Sequence, residues 1–280
     1  MISHGAITVI NAIPCGIGAT VGTDLVTSSE FVVSGEERFV KIVNDPGEDT
    51  KMARICVKNT FLYFDVEEPD EWSLTVDSQI PVSRGLKSSS SACNSIISSV
   101  TEWITKEYGK KFEGYDGTIE MIRLGVRCAR EAGVTVTGSF DDACGCHLGG
   151  LVITDNANDD ILMRTDVEEK DVILLIPEMK IRKPSLDRNR FYAFASASSE
   201  LAELAKKDWC SALTENGALV AKALGINDTI SERAVSMGAL AAGMSGTGPA
   251  LSIVVEKNGG ASFLKDLEHN GYDAMITRTR

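Results

Sequence analysis

The chain has 280 residues, 43% hydrophobic and 24% charged, proportions that exclude a disordered or fibrous polypeptide. Asp and Glu total 40 against 28 Lys and Arg, and the net charge of −12 disfavours a nucleic-acid binder or a membrane-surface protein while leaving room for a small anionic ligand at a local cluster of cations. No stretch approaches the ~20 apolar residues of a membrane-spanning helix, no Lys or Arg precedes Arg38, and the 7 cysteines form no paired framework, so a cytoplasmic protein with free thiols is expected.

In chain order, β-branched or alternating runs at 6–10, 24–33, 38–43 and 72–80 predict strands through the first third. Gly16, Gly18 and Gly22 approximate a dinucleotide-binding fingerprint, but the last spacing is one residue too long and a strand follows instead of a helix. A turn or packing role is expected there, and a nicotinamide-dependent oxidoreductase is the weakest functional reading. After Pro81 the pattern turns helical. Ile96, Ile97, Val100, Trp103 and Ile104 form one stripe closed by Gly109, and Ile119, Ile122, Val126 and Ala129 form a second, over 118–132, closed by Gly133. A Gly-rich passage fills 133–150, and a strand follows at 151–154. The acidic run 155–160 reads as an exposed turn that divides the chain into domains at 1–155 and 156–280, with a long hairpin inside one domain as the alternative. A strand at 171–177, helices over 190–206, 209–223 and 229–242, a Gly-rich loop, a strand at 250–256, a helix and a closing strand complete an α+β or α/β protein.

Three segments carry chemistry. In the first, Pro81 ends a strand, Gly85 and Leu86 permit a turn, and Lys87, Ser88, Ser89, Ser90, Ser91 and Ala92 open a long helix. Unpaired amides and the positive end of the helix dipole make such a start a phosphate site. Lys87 adds a full charge, and a serine hydroxyl suits Mg²⁺. A capped linker helix would need only one or two of these serines. The segment is not a P-loop, because Leu86 separates Gly85 from Lys87. In the second, Ser245, Gly246, Thr247 and Gly248 form a glycine- and hydroxyl-rich loop whose amides can surround an anion. In the third, Asp141 and Asp142 follow Gly138, placed either to orient a hydroxyl and accept its proton or to cap a helix. Cys144, Cys146 and His147 lack a second ligand pair and are expected to be packed side chains instead of metal ligands.

In this order the segments resemble the GHMP kinase superfamily. The Gly-Leu-Lys-Ser-Ser-Ser run and Thr137-Gly138-Ser139-Phe140-Asp141-Asp142-Ala143 are most similar to its archaeal-type shikimate kinases. The resemblance implies a GHMP-kinase-like α+β architecture of two halves with the active site in the cleft between them. It implies ATP and Mg²⁺ as cofactors, and transfer of the γ-phosphoryl group to the 3-hydroxyl of shikimate. Pro81, Gly85 through Ala92, and Ser245 through Gly248 would then hold the nucleotide. Ser89 and Glu131 would hold the metal. Asp142, or Asp141 under the other alignment, would be catalytic together with Lys87. The acceptor carboxylate would need a cation such as Arg84, Arg123, Arg182 or Lys183. Two departures stand out: Lys87 replaces a glycine of the superfamily motif, and Ile17 occupies a place where a basic residue is expected. A kinase for another alcohol, such as homoserine or mevalonate, and a non-catalytic ligand sensor on the same fold are the alternatives.

Overall fold

The computed structural model describes the chain apart from residues 35–36, 83, 136 and 179–186. The described strands form two sheets. The first contains β1 (Ile2–Ile10), β2 (Ile17–Val32), β3 (Arg38–Ile42), β4 (Trp72–Ser78), β5 (Leu151–Asp155) and β6 (Asp160–Thr165). Its order is β3-β4-β2-β5-β6, and β1 pairs with β2 along the edge opposite β4 and β5. Helices α1 (Lys51–Tyr63), α2 (Ser88–Tyr108) and α3 (Gly114–Ala132) pack together over an apolar cluster that includes Trp72, Phe61, Ile97 and Ile122. The short α4 (Phe140–Leu148) packs on β1, β2 and β5.

The second sheet is antiparallel throughout, with the order β10 (Tyr272–Arg278), β7 (Asp171–Pro177), β9 (Leu251–Val255), β8 (Ala241–Met244). β7 is central, so Val172 to Leu175 are buried on both faces, and its sequence is an unbroken apolar run instead of an alternation. Helices α5 (Arg188–Tyr192), α6 (Ala195–Ala205), α7 (Trp209–Leu224), α8 (Thr229–Ser236) and α9 (Gly260–Asp266) complete this half. A shared core joins the two sheets, bringing Ile7, Val9 and Leu86 against Val172, Leu174, Leu213 and Val254.

Several expectations are refined or corrected here. The segment from Ile17 to Gly22, where a turn or packing role is expected, is the first third of the long strand β2, and its residues pair with β1 on one side and β5 on the other. Residues 51–63 form a helix, although the first third read as strands. Its buried Ala53, Cys56, Val57, Thr60 and Phe61 carry the helical spacing that the flanking strands obscured. The predicted helix over 229–242 ends at Ser236, because 241–244 form the edge strand β8. The loop at 245–250 is therefore a hairpin connection and not a helix-to-strand turn. The acidic run 155–160 is the β5–β6 hairpin, the alternative reading of that run, in which Asp155 faces Asp160 and the first sheet continues to Thr165. The tail returns to the first half: Gly150 donates to Arg280 O, and Arg280 N to Gly22 O.

Candidate active site

The chain turns into α2 through two left-handed residues, Gly85 (φ 83°) and Lys87 (φ 70°). Gly85 is required twice over, since besides the positive φ a Cβ would strike the backbone of Ser245 and Gly248. Lys87 is the N-cap and offers no side-chain cap to the helix; the first helical bond runs from Ser91 N to Lys87 O. By helix geometry the amides of the preceding turn have no partner inside the helix. Ser88, Ser89 and Ser90 line a cavity of about 230 Å³, together with Gly85, Lys87, Gly246 and Thr247.

Hydrogen bonds lock the two Gly/Ser loops together. Ser245 Oγ donates to Gly85 O (3.0 Å) and accepts from Thr8 N (3.2 Å), and Ala250 N donates to Arg84 O (3.1 Å). Asn11, at the end of β1, donates to Gly246 O (2.8 Å), and its own amide donates to Asn216 Oδ1 on α7 (3.0 Å). β1, α2 and the β8–β9 loop therefore meet at one point.

The opposite wall is the start of α4. Ser139, also left-handed (φ 56°), is its N-cap and shares a hydrogen bond with Thr135 (2.8 Å). Asp141 and Asp142 occupy the first turn, where the helix dipole favours negative charge. Both are buried and both line the cavity. Lys87 Nζ lies 3.0 Å from Asp142 Oδ1 and also donates to Thr8 Oγ1. Side-chain exposure in this ion pair is 4% for Lys87 and 9% for Asp142, so water screens it little. Asp141 accepts from Asn156 Nδ2 at 2.7 Å. Burial, and then the neighbouring Asp142 charge, push its carboxyl up to about 6, against the opposing pull of Lys87 and the Asn156 hydrogen bond.

Not every predicted residue reaches the cavity. Leu86 is buried in the shared core, and Ser91 Oγ is fully buried with no hydrogen-bond partner among the described residues. Pro81, Ala92, Ser245 and Gly248 do not line the cavity, and Ser245 acts as the tie between the loops. Glu131, the other metal-ligand candidate, is exposed on α3, accepts from Asn59 (2.8 Å) and does not line the cavity. Arg123 is committed to Glu120 and Asp160, Arg84 is likewise absent from the lining, and Arg182 and Lys183 lie outside the described residues. Cys144 and Cys146 are buried side chains within α4, as expected of packing residues, and burial pushes both thiols well up. Sequence reasoning gave no role to Thr8, Asn11, Glu48 or Asn156. The one available signal was an Asn directly after an apolar strand, which both Asn11 and Asn156 show.

Residues 51–150 match the GHMP kinases N terminal domain. A shikimate kinase of Methanothrix thermoacetophila is 36% identical over 255 residues, covering 91% of this chain and 84% of that protein. One from Methanothermobacter thermautotrophicus is 32% identical, covering 98% and 93%. Among solved structures, the Methanococcus jannaschii mevalonate kinase superposes with a TM-score of 0.78 at 17% identity over 100% of this chain and 98% of that one. The Lactococcus lactis galactokinase, solved with galactose, reaches 0.71 at 15% identity over 99% and 92%. Those likenesses give the fold. The sequence relatives give the family: this chain is a GHMP-family kinase acting on a small-molecule alcohol and belongs with these archaeal shikimate kinases.

Proposed function

We propose that the protein transfers the γ-phosphoryl group of ATP to the 3-hydroxyl of shikimate, in the cleft between its two sheet-bearing halves. The observation that carries this reading is the convergence on one cavity of the α2 helix start, the second Gly/Ser loop and the Lys87–Asp142 pair. Phosphoryl transfer asks the protein mainly for positioning and charge neutralisation, and these groups offer both. The amides of Ser88 to Ser90 and of Gly246–Thr247 cradle the phosphates. Lys87 places positive charge between the phosphate end and the acids. Asp142 accepts the proton of the attacking hydroxyl, and Asp141 orients that hydroxyl beside it. The choice of shikimate over other alcohols rests on the names of the relatives.

Magnesium is expected to enter with the nucleotide. It takes oxygen ligands and keeps phosphate and water partners, so it needs few protein groups. Ser89, the hydroxyl that the resemblance assigns to it, lines the cavity beside Ser88 and Ser90, and among the described residues no cluster of three Asp, Glu, His or Cys side chains forms a dedicated cage. When bound, the ion neutralises charge on the phosphate oxygens.

The deciding experiment supplies purified protein with ATP, Mg²⁺ and a panel of shikimate, homoserine and mevalonate, and follows phosphorylated product. Shikimate is expected to be consumed far faster than the others. Turnover of homoserine or mevalonate with shikimate left untouched would reassign the substrate and keep the kinase. ATP binding without any transfer would mark a sensor.

A further inference from the structure

Asn156 sits just after β5, is 2% exposed, and uses nearly all of its hydrogen-bonding capacity on the seat of one carboxylate. Its Nδ2 donates to Asp141 Oδ1 (2.7 Å) and to Thr137 Oγ1 (3.3 Å). Its Oδ1 accepts from the Asp141 amide (3.0 Å) and from Thr154 Oγ1 (2.7 Å), and its own amide donates to Gly16 O (2.9 Å). The side chain thus grips Asp141 at both backbone and carboxylate. The floor of the seat is β2. Thr20 Oγ1 donates to Asp141 O (2.9 Å), and a Cβ on Gly18 would collide with the whole Asp141 side chain. The Gly16–Gly22 segment, which resembled a nucleotide loop, therefore has a different use: its glycine clears room for a carboxylate.

We propose that Asn156, with Gly18 beneath, is the positioning element that fixes Asp141 against the cavity so that its carboxylate orients the acceptor alcohol. The inference deepens the functional reading and rests on it. An unclamped Asp141 could rotate about χ1 and χ2, and misplacement by about 1 Å costs on the order of 10²-fold in rate. The charged and titratable groups around Asp141 are Asp142 on its own helix, Lys87 from the α2 start, the Cys144 and Cys146 thiols on α4, and the Arg130–Asp159 ion pair beyond Asn156. The Asn156 side chain is neutral, so its hydrogen bond to the ionised carboxylate can be deleted by substitution without changing net charge.

The test is N156A and, independently, G18A, with N156S as the conservative variant. Steady-state kcat and KM for acceptor and ATP are measured across pH, and the Asp141 carboxyl is titrated by ¹³C NMR in nucleotide-free protein. In N156A, kcat is expected to fall about 10²-fold, with ATP affinity within about twofold. The acid limb of kcat/KM and the Asp141 titration are both expected to move to higher pH, because a bond favouring the ionised form is lost. N156S should recover part of kcat. G18A should lower kcat by displacing the carboxylate while every Asn156 donor is kept. Unchanged kcat in both N156A and G18A, or an Asp141 titration that does not move in N156A, overturns the proposal. So does a rate loss matched by an equal loss of ATP binding. If the wild-type protein phosphorylates no alcohol, the functional reading fails by itself, and the NMR titration still decides whether Asn156 grips Asp141.

Discussion

At the scale of single residues, the Lys87–Asp142 pair joins the proposed chemistry to a risk for stability. Breaking a buried pair from one side leaves a buried charge without its partner, at a cost of about 3–5 kcal/mol. K87A is therefore expected to lose stability as well as turnover, in denaturant melts and in product formation. D142N removes the proposed proton acceptor and should lower kcat by about 10²–10⁴-fold with a modest effect on ATP binding. The double variant K87A/D142N should regain much of the stability of K87A and none of the activity; additive destabilisation would show that the pair is not coupled. Asp141 makes a separate prediction, with a definite sign. Its folded-state carboxyl is raised to about 6 from an ordinary 3.8. Between those values the folded state holds more protons than the unfolded one, so stability falls as pH rises through the window and levels off above it. D141N should melt higher than wild type above pH 6, with the gap closing on acidification below 4, and should turn over more slowly. Equal melting temperatures at both pH values would remove the strain assigned to this acid. Little of this was legible in the sequence. The two adjacent Asp residues and Lys87 could be singled out because paired acids after a Gly turn and a cation at a helix start each suit phosphoryl chemistry. Thr8, Asn11 and Asn156 could not, because their partners are 79, 235 and 15 residues away and only the fold brings them together.

At the scale of elements, the start of α2 was the clearest signal, since a Gly, a Lys and a serine run before an apolar stripe conflict with a simple cap. The other elements that shape the site were harder to see. α4 hid inside a Gly-rich passage, and its glycines serve close packing: a Cβ on Gly145 would press on Thr20 of β2, and one on Gly22 would press on Gly149. β8 was lost in a helical pattern because its four residues, all buried in a short edge strand, carry no alternation to read. Two glycines with nearly the same backbone angle separate conformation from contact. At Gly16 (φ 82°) an added methyl would meet nothing within 4 Å, whereas at Gly85 (φ 83°) it would fall on the Ser245–Gly248 loop. G16A should cost only the left-handed penalty of about 1–2 kcal/mol and leave ATP affinity in place. G85A adds a collision that parts the two Gly/Ser loops, so, if these loops hold the phosphates as proposed, its ATP dissociation constant should rise by at least about tenfold, or ~1.4 kcal/mol. Calorimetric titration of both variants checks the contrast, and equal losses would mean that the loops need not touch.

At the scale of the whole molecule, the two sheets are not independent bodies. Their shared core runs from Ile7 and Val9 of the first sheet to Val172, Leu174 and Val254 of the second. Asn11 and Thr8 reach across to Asn216, Gly246 and Ser245, and the C-terminal backbone at Arg280 bonds to Gly22 and Gly150. Unfolding one half would expose apolar surface on the other and strip a wall from the cavity. A single cooperative transition is therefore expected in calorimetry, with no described helix long and apolar enough to cross a membrane and complicate the experiment. A ligand held by both halves stabilises the entire folded chain by RT ln(1 + [L]/Kd), about 2.7 kcal/mol at a hundredfold excess over Kd. Mg·ATP should accordingly raise the one transition as a unit, and D142N, which spares nucleotide binding, should show nearly the same rise. Two resolved transitions, of which nucleotide moves only that of the half containing α2, would confine the binding energy to that half and remove the β8–β9 loop from the proposed phosphate site.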